Sequence, residues 1–430
     1  MKIKKTEILS LYLAFIHFII SFFTDKLIFN TNILNVLEKN NIEISKFYTY
    51  KLCSLLVYII LYQIIIKIIA NLIKKDKKTK EMIIYWLVYL SINAIILLLT
   101  WPGIWRWDEF NILYRVSDYS FYTWQNYLTS LFYIISYMII PIPSGVIIIQ
   151  IICASAIVSY IIYNFKIIFK DSKLTYLLYL PFILLPVLDH NLYPLRLSLY
   201  SYIELMLICQ ILFMKKREIN KYDYIVLSAI LVILVSLRSE GKVFILLIPI
   251  IYLLILKKEI KSIRIKCMYM CFTIIVAVLL ILPQDYFYKK ENHNRYEVTS
   301  YINQLYVAIR CEMKNNPDCE EIKTISRTIN IDRLLEGEKG IVAHNIGGLY
   351  IEDATKEDYE NLKKASIKLI SKYPFQVLEE RIWTFLGTSG FINDINVHVE
   401  DTRRIYDNYR NKPHIEFLTK YRKDNITNKS

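Results

Sequence analysis

The chain has 430 residues, 55% of them hydrophobic and only 9 of them glycine, with a formal net charge of +14 at pH 7. Its apolar residues form long uninterrupted runs, whereas a helix that crosses a ~30 Å hydrocarbon core needs roughly 17–25 such residues. This pattern excludes a soluble globular protein. The excess positive charge lies in short clusters between the runs, as in cytoplasmic loops, and therefore argues against nucleic acid as a partner.

The N-terminus and the cysteines argue against a cleaved signal peptide and against a zinc site. Residues 1–25 join a basic start to a long apolar run, and no small-residue cleavage site follows it. We therefore predict a retained first helix rather than a signal peptide. The seven cysteines are scattered without a CxxC motif or a Cys/His set, which argues against a zinc site.

Ten apolar runs are candidates for membrane helices. They lie at 7–24, 52–73, 82–100, 127–141, 144–165, 174–188, 197–214, 224–237, 243–256 and 267–283. Basic clusters separate them at 2–5, 74–80, 166–173, 215–221 and 257–266. If all ten runs crossed, the first two clusters would face the cytoplasm and the last three would face outside, against the positive-inside rule.

The run at 127–141 is the one that we predict not to cross. It is among the shortest, it is rich in Tyr, Ser and Thr, and Pro141-Ile-Pro143 ends it. We expect it to lie flat at the outer face as an interfacial helix. Nine helices then span, all five basic clusters face the cytoplasm, and residues 284–430 lie outside.

The predicted fold is therefore an all-α polytopic protein of the cell membrane, with about nine transmembrane helices and a cytoplasmic N-terminus. Residues 1–283 would form the transmembrane module. Residues 284–430 would form a small, mainly helical extracytoplasmic domain with a polar tail. The outer face would collect the loops 25–51 and 101–126, the segment 189–196 and the turn 238–242.

Two helices are predicted within the outer domain. Residues 357–372 have helical character and stop before Pro374. Residues 375–386 place Phe375, Leu378, Ile382 and Phe385 at spacings of three and four, which predicts an amphipathic helix.

The outer loop 101–126 carries an acidic pair close to the membrane boundary. It reads Trp101-Pro-Gly-Ile-Trp-Arg-Trp-Asp108-Glu109. A carboxylate near the apolar phase is poorly solvated and more basic, which makes it a candidate proton acceptor. A solvated acidic pair beside an aromatic belt is the alternative.

Pro102-Gly103, the acidic pair and the interfacial helix together resemble the GT-C glycosyltransferase superfamily, which includes protein O-mannosyltransferases and bacterial aminoarabinose transferases. The pattern Trp101-Pro-Gly-(x)4-Asp108 and the later Lys372-Tyr-Pro-Phe-(x)5-Arg381 are similar to bacterial members. The resemblance covers most of residues 82–390. Related chains usually continue into further membrane helices, whereas this one ends in a polar tail, so a shortened or weakened copy is an open alternative.

The resemblance implies a GT-C-like bundle and a sugar donor carried on polyprenyl phosphate. It implies that Asp108 is the catalytic acid or base, with Glu109 as the second candidate. Glu109 would otherwise orient the acceptor or bind a divalent cation, and no other cofactor is predicted.

Basic residues at outer helix ends are candidates for binding the lipid-linked phosphate. Arg196 and Arg238 each lie at such an end, and Lys242 is close to the second. A guanidinium there could hold a phosphate, or it could extend to ordinary lipid headgroups. Glu240 could pair with Arg238 or belong to the site.

Aromatic and polar residues on the outer side complete the set of candidates. Trp124 and Gln125 close the acidic loop, where an aromatic ring could stack on a sugar or anchor at the interface. Asp189 and His190 could bind a metal or a sugar, or cap a helix. Glu204, about two turns into a membrane helix, needs a cavity or a partner.

One disulfide is predicted in the outer domain. Cys311 and Cys319 flank a short polar segment with Asn315-Asn316-Pro317 as its turn. In an oxidising compartment this pair could close a small loop.

The function predicted from these residues is an inverting glycosyltransferase with an envelope glycan, lipid or protein as acceptor. A transporter or flippase for lipid-linked saccharides is one alternative, but it should show inverted repeats or Gly/Pro-broken helices, whereas this chain has few glycines in its spans and no visible repeat. A polysaccharide polymerase or a non-catalytic scaffold is another. A polymerase would concentrate arginines in large outer loops, and these loops are short.

Overall fold

The computed structural model describes residues 5–29, 41–105, 107–169, 173–194, 196–216, 218–238, 240–255, 260–292, 298, 301–336 and 348–388. These residues form helices and no β-strand, so the predicted all-α class is confirmed for them. The α-helices are α1 Lys5–Thr24, α2 Asn41–Ile73, α3 Lys77–Leu99, α4 Trp107–Ser117, α5 Tyr127–Ile139, α6 Gly145–Ile168, α7 Leu185–Asn191, α8 Arg196–Lys216, α9 Lys221–Leu237, α10 Phe244–Leu254, α11 Ile260–Asn292, α12 Ile302–Asn315, α13 Glu320–Ile325, α14 Ile331–Glu336, α15 Lys356–Lys372 and α16 Pro374–Thr388.

Six helices within the described part of the chain are long and apolar enough to cross a membrane. They are Thr6–Leu27, Ile44–Ile73, Lys77–Leu99, Gly145–Ile168, Ser198–Lys216 and Ile263–Tyr286. Large apolar side chains such as Leu52, Ile60 and Leu98 are exposed along them. Such surfaces suit a hydrocarbon solvent rather than water, as in an α-helical membrane protein.

The first loop is shorter than predicted. Helix α2 begins at Asn41, inside the segment 25–51 that the sequence placed in a loop. Lys51 lies buried in this helix and forms an ion pair with Asp25, which is also buried at the end of α1. The sequence placed Lys51 at the end of the loop 25–51, but its pairing with Asp25 allows it to lie within a helix.

The run 174–188 is not one regular helix. A 3₁₀ segment spans Lys173–Ile183 and the short helix α7 follows it. Pro181 lies inside the 3₁₀ segment, and Pro186 is in the first turn of α7. Proline lacks a backbone N–H and clashes with the preceding turn, so it interrupts a regular α-helix here.

Helix α5 corresponds to the run predicted to be interfacial. It has 13 residues, or about 20 Å at 1.5 Å per residue, and it is not among the six candidate spans. The buried residues in it are Tyr127, Thr129, Ser130, Tyr133, Ile134, Ser136, Tyr137 and Met138. Protein therefore covers much more of α5 than we expected for a helix lying on a membrane surface.

The described residues divide into two compact units, with the boundary between Gln284 and Asp285. Helix α11 extends beyond this boundary to Asn292, whereas the sequence ended the last span at Pro283. A proline removes a single hydrogen bond of the ladder, and the flanking residues continue the helix around it.

The second unit has its own core, in which Leu305, Ile309, Leu334 and Leu362 are fully buried. Helix α15 begins with a capping box between Thr355 and Asp358, and α16 begins at Pro374. The two helices predicted at 357–372 and 375–386 are confirmed to within two residues. The predicted tail lies outside the described residues.

Candidate functional site

The segment that precedes the acidic pair is fixed by a close backbone approach at Gly103. This glycine has φ +94°, and a Cβ added to it would lie 2.3 Å from Cδ1 of Ile147 and 3.1 Å from the carbonyl oxygen of Leu192. The next backbone N–H, of Ile104, donates to that same Leu192 oxygen over 3.0 Å. Only glycine fits this position without strain, so the Pro-Gly pair has a structural reason.

The backbone of residues 191–193 contacts the loop at Gly103 and Ile104, and it is itself held by buried side-chain amides. Nε2 of Gln150 donates to the carbonyl oxygens of Asn191 and Tyr193, over 3.0 and 2.6 Å. Nδ2 of Asn191 donates to the Tyr89 hydroxyl over 2.9 Å and to Oδ1 of Asn93 over 2.8 Å. Buried polar groups that are hydrogen-bonded in this way fix a unique local geometry.

The two acidic residues lie in the first turn of α4, but in different surroundings. Glu109 is only 1% exposed, whereas Asp108 is partly exposed. Oδ2 of Asp108 accepts a 2.8 Å hydrogen bond from Nε2 of Gln125. A substrate hydroxyl could therefore reach Asp108, while Glu109 lies beneath the surface.

Asn126 links the acidic loop to the end of α9. Its Oδ1 accepts from the N–H of Leu128 over 2.9 Å and so caps α5. Its Nδ2 donates to the carbonyl oxygen of Ser236 over 2.8 Å. Gln125 precedes Asn126 and Arg238 is two residues after Ser236, so these hydrogen bonds connect Asp108 to the chain segment that bears Arg238.

Arg238 lies over an aromatic ring. Its guanidinium carbon is 5.5 Å from the centroid of Tyr200, and the Tyr200 hydroxyl donates to the carbonyl oxygen of Leu234 over 3.3 Å. A cation over an aromatic face is attracted by the ring quadrupole, which orients the guanidinium. A Cβ on Gly241 would lie 2.0 Å from that Leu234 oxygen, so the turn is tightly packed against the helix end.

The other predicted basic residues belong to α8 and to the 3₁₀ segment that follows the turn. Arg196 begins α8, one turn before Tyr200, and its side chain lies outside the described part of the chain. Lys242 is exposed in the 3₁₀ segment Glu240–Val243, and the side chain of Glu240 is also outside the description.

Tyr133 on α5 was missed by sequence reasoning and lies close to the acidic pair. Its hydroxyl donates to the carbonyl oxygen of Pro194 over 2.6 Å. Burial raises the pKa of Tyr133 well above its usual value, and the nearby Glu109 and Asp108 carboxylates raise it further. It therefore stays a neutral donor that ties α5 to the segment 191–194. Its only signal in the sequence is a polar group within an apolar run.

Four further candidate residues remain, and within the described part of the chain they show no metal-binding arrangement. They are Asp189, His190, Trp124 and Glu204. Asp189 is exposed, and the His190 ring lies 6.4 Å from that of Tyr193. Among the described residues, no group of three His, Cys, Asp or Glu side chains could hold a metal ion. Trp124 and Glu204 are both half-buried, Trp124 in the 3₁₀ turn beside Gln125 and Glu204 within α8.

Cys311 and Cys319 are both free thiols, so the predicted disulfide is not formed in this structure. Sγ of Cys319 instead accepts from the N–H of Ile322 over 3.4 Å and caps α13. The later motif also has a structural role, because Lys372 and Tyr373 both contact the buried carboxylate of Glu312.

Comparison with known proteins gave no matching family model, no similar curated protein and no similar solved structure.

Proposed function

We propose that this protein is a membrane glycosyltransferase of the GT-C type, which moves a sugar from a polyprenyl-phosphate donor to a cell-envelope acceptor. The observation that carries the proposal is the connection from Asp108 through Gln125 and Asn126 to the end of α9. It connects a partly exposed carboxylate to the turn that bears Arg238 through two hydrogen bonds, which supports a shared site. The reaction needs both a proton acceptor and a phosphate-binding group.

The proposed topology has nine spans. Six are the long apolar helices, and the other three are the segment 173–191, α9 and α10. The 3₁₀ segment would cover about 22 Å at 2.0 Å per residue, and α7 would add about 10 Å. Helix α9 has 17 residues, or about 25 Å.

Helix α10 has 11 residues and is shorter than α5, which has 13, but its surface is that of a membrane span. Leu246, Ile250 and Leu253 are exposed on it, as lipid-facing residues should be, whereas α5 is mostly buried in protein. With α10 crossing and α5 not crossing, all five basic clusters face the cytoplasm. The N-terminus is then cytoplasmic, and residues 284–430 are extracytoplasmic.

In the proposed reaction, an acceptor hydroxyl attacks the anomeric carbon opposite the lipid phosphate. The new bond joins this carbon to the acceptor oxygen, the bond to the phosphate oxygen breaks, and Asp108 takes the hydroxyl proton. Direct displacement inverts the anomeric configuration. A positioned base of this kind contributes roughly 10²–10⁴-fold, and the burial of Glu109 supports Asp108 in this role.

The leaving phosphate is assigned to the turn around Arg238. Tyr200 orients the Arg238 guanidinium, and Arg196 begins the helix that carries Tyr200. We assign Arg196 to the same phosphate as Arg238, because guanidinium groups bind phosphate by charge-assisted hydrogen bonds. Lys242 and Glu240, in the adjoining 3₁₀ segment, complete the proposed binding group.

A transporter or flippase for lipid-linked saccharides is the second candidate. It is favoured by the irregular segment 173–191, since discontinuous helices form substrate sites in transporters. A transporter would move the lipid-linked sugar across the bilayer without breaking the bond to phosphate.

The test is a transfer assay in reconstituted liposomes with a panel of polyprenyl-phosphate hexoses and pentoses. Asp108→Asn is expected to reduce transfer by 10²-fold or more, and Arg238→Gln to raise the KM for the donor more than it lowers kcat. Thermal stability of each purified variant serves as the folding control. Normal transfer in both Asp108→Asn and Glu109→Gln would refute the mechanism. Movement of intact donor without transfer would favour the transporter.

A further inference from the structure

Helix α16 has an exposed apolar face. Phe375, Leu378 and Ile382 are 81%, 57% and 51% exposed, and Trp383 is 52% exposed. The first three follow each other at spacings of three and four, so they form one stripe along the helix. Trp383 lies next to this stripe, with the exposed Glu379 between it and Phe375.

The opposite side of this helix holds it to the second unit. Tyr373, immediately before α16, and Val377 within it are buried, and α16 packs against α12 and α15. The orientation of the stripe is therefore fixed by the packing of the unit. A water-soluble unit seldom exposes a contiguous stripe of this kind without a partner surface.

The membrane is the partner surface within reach of the second unit, because the chain connects this unit directly to a candidate membrane span. The candidate span Ile263–Tyr286 and the residues up to Asn292 belong to one continuous helix. Tyr301, which immediately precedes α12, is nine residues after Asn292, a separation that a chain can extend over at most about 30 Å. A tether of this length holds the unit at a high local concentration beside the bilayer.

The chemistry of the stripe also fits the boundary between headgroups and acyl chains. Trp and Phe are favoured at that depth, with aliphatic side chains beneath them. Arg381 is exposed on the same helix and can reach lipid phosphates. We propose that α16 is a membrane-surface helix, which inserts Phe375, Leu378, Ile382 and Trp383 into the leaflet on its own side. This proposal does not rest on the transferase activity.

The test uses the full chain, with its native cysteines replaced, in phosphatidylcholine nanodiscs. Single cysteines at Phe375→Cys and Ile382→Cys carry an environment-sensitive fluorophore, and Glu357→Cys, at an exposed position on α15, is the control. Lipids with a nitroxide in the upper acyl chain are expected to quench positions 375 and 382 several-fold more than position 357. Aqueous iodide is expected to give the reverse order.

A second measurement uses the unsubstituted protein, so that it does not depend on the folding of the variants. A phospholipid with a photoactivatable acyl chain is expected to label peptides from 374–388, detected by mass spectrometry. Iodide quenching at 375 and 382 equal to that at 357 would overturn the proposal. Protection of both positions from both quenchers, with no lipid label, would overturn it as well and would assign the stripe to a protein contact.

Discussion

The side-chain amide of Gln125 donates to the carboxylate of Asp108 over 2.8 Å, although 17 residues separate them in sequence. Helix α4 and the 3₁₀ turn Thr123–Gln125 bring the two together. Gln125 itself is buried, so its amide has a fixed position. The bond therefore orients Asp108 rather than merely solvating it.

Gln125→Leu is expected to lower kcat/KM for transfer by roughly 10–100-fold, because a hydrogen bond to a charged group is worth about 1.5–3 kcal/mol. Gln63→Leu, at an exposed position on α2, is the matched control and should leave transfer unchanged. Steady-state kinetics in liposomes measures both. Unaltered kcat/KM in Gln125→Leu would show that the bond has no part in positioning Asp108.

Gly103→Ala is expected to destabilise the first unit by about 2–5 kcal/mol, from overpacking together with a positive φ. The added methyl group would lie 2.3 Å from Ile147 Cδ1. Gly348→Ala is the control, because Gly348 has φ +72° but no heavy atom within 4 Å of its added Cβ. It should cost only about 1–2 kcal/mol for the φ alone. Denaturant unfolding in mild detergent compares the two, and equal losses would contradict the packing argument.

Lys51→Met is expected to cost about 3–5 kcal/mol, because it leaves the Asp25 carboxylate buried without its cation. Lys51 also donates to Ser21 over 2.8 Å, and Tyr50 donates to Asp25 over 3.3 Å. The double variant Lys51→Met with Asp25→Leu should recover most of this loss, since an apolar pair of similar volume replaces a buried ion pair at little cost.

The control for the ion pair is Lys46→Met, an exposed lysine on the same helix, which should change stability by less than about 0.5 kcal/mol. Thermal unfolding in detergent measures all three variants. A double variant no more stable than Lys51→Met would mean that the unpaired Asp25 carboxylate is not the cause of the lost stability.

Helices α15 and α16 of the second unit could be predicted because their signals are local. Thr355 and Asp358 form a capping box at the start of α15, and Pro374 separates α15 from α16. Such caps and breaks are read from neighbouring residues. The acidic pair was found in the same way, from its place after an apolar run.

The long-range contacts of the site could not be predicted. Asn126 meets the carbonyl oxygen of Ser236, which is 110 residues away, and a backbone oxygen has no signature in the sequence. Lys51 was misplaced because a lysine beside an apolar run indicates a boundary, unless its partner is known. Asp25 is that partner, and it lies 26 residues earlier.

The buried Glu312 is expected to make the stability of the second unit sensitive to acid. Its carboxylate accepts from Lys372 Nζ over 2.8 Å and from the Tyr373 hydroxyl over 2.6 Å. These hydrogen bonds, that of Lys372 first, hold the pKa of Glu312 below its usual value. A lowered folded-state pKa stabilises the fold fully above the unfolded-state pKa of about 4.3.

Stability of the second unit is therefore expected to fall as the pH drops from about 4.3 through the lower folded-state pKa of Glu312. Glu312→Gln should remove this part of the pH dependence and lower stability at neutral pH. Glu360→Gln, an exposed carboxylate on α15, is the control and should leave the acid sensitivity in place. Hydrogen exchange of α12 and α15, corrected for the intrinsic effect of pH, measures the change. The same acid dependence in Glu312→Gln and in the unsubstituted chain would show that another group is responsible, because glutamine cannot take up the proton that the carboxylate would bind.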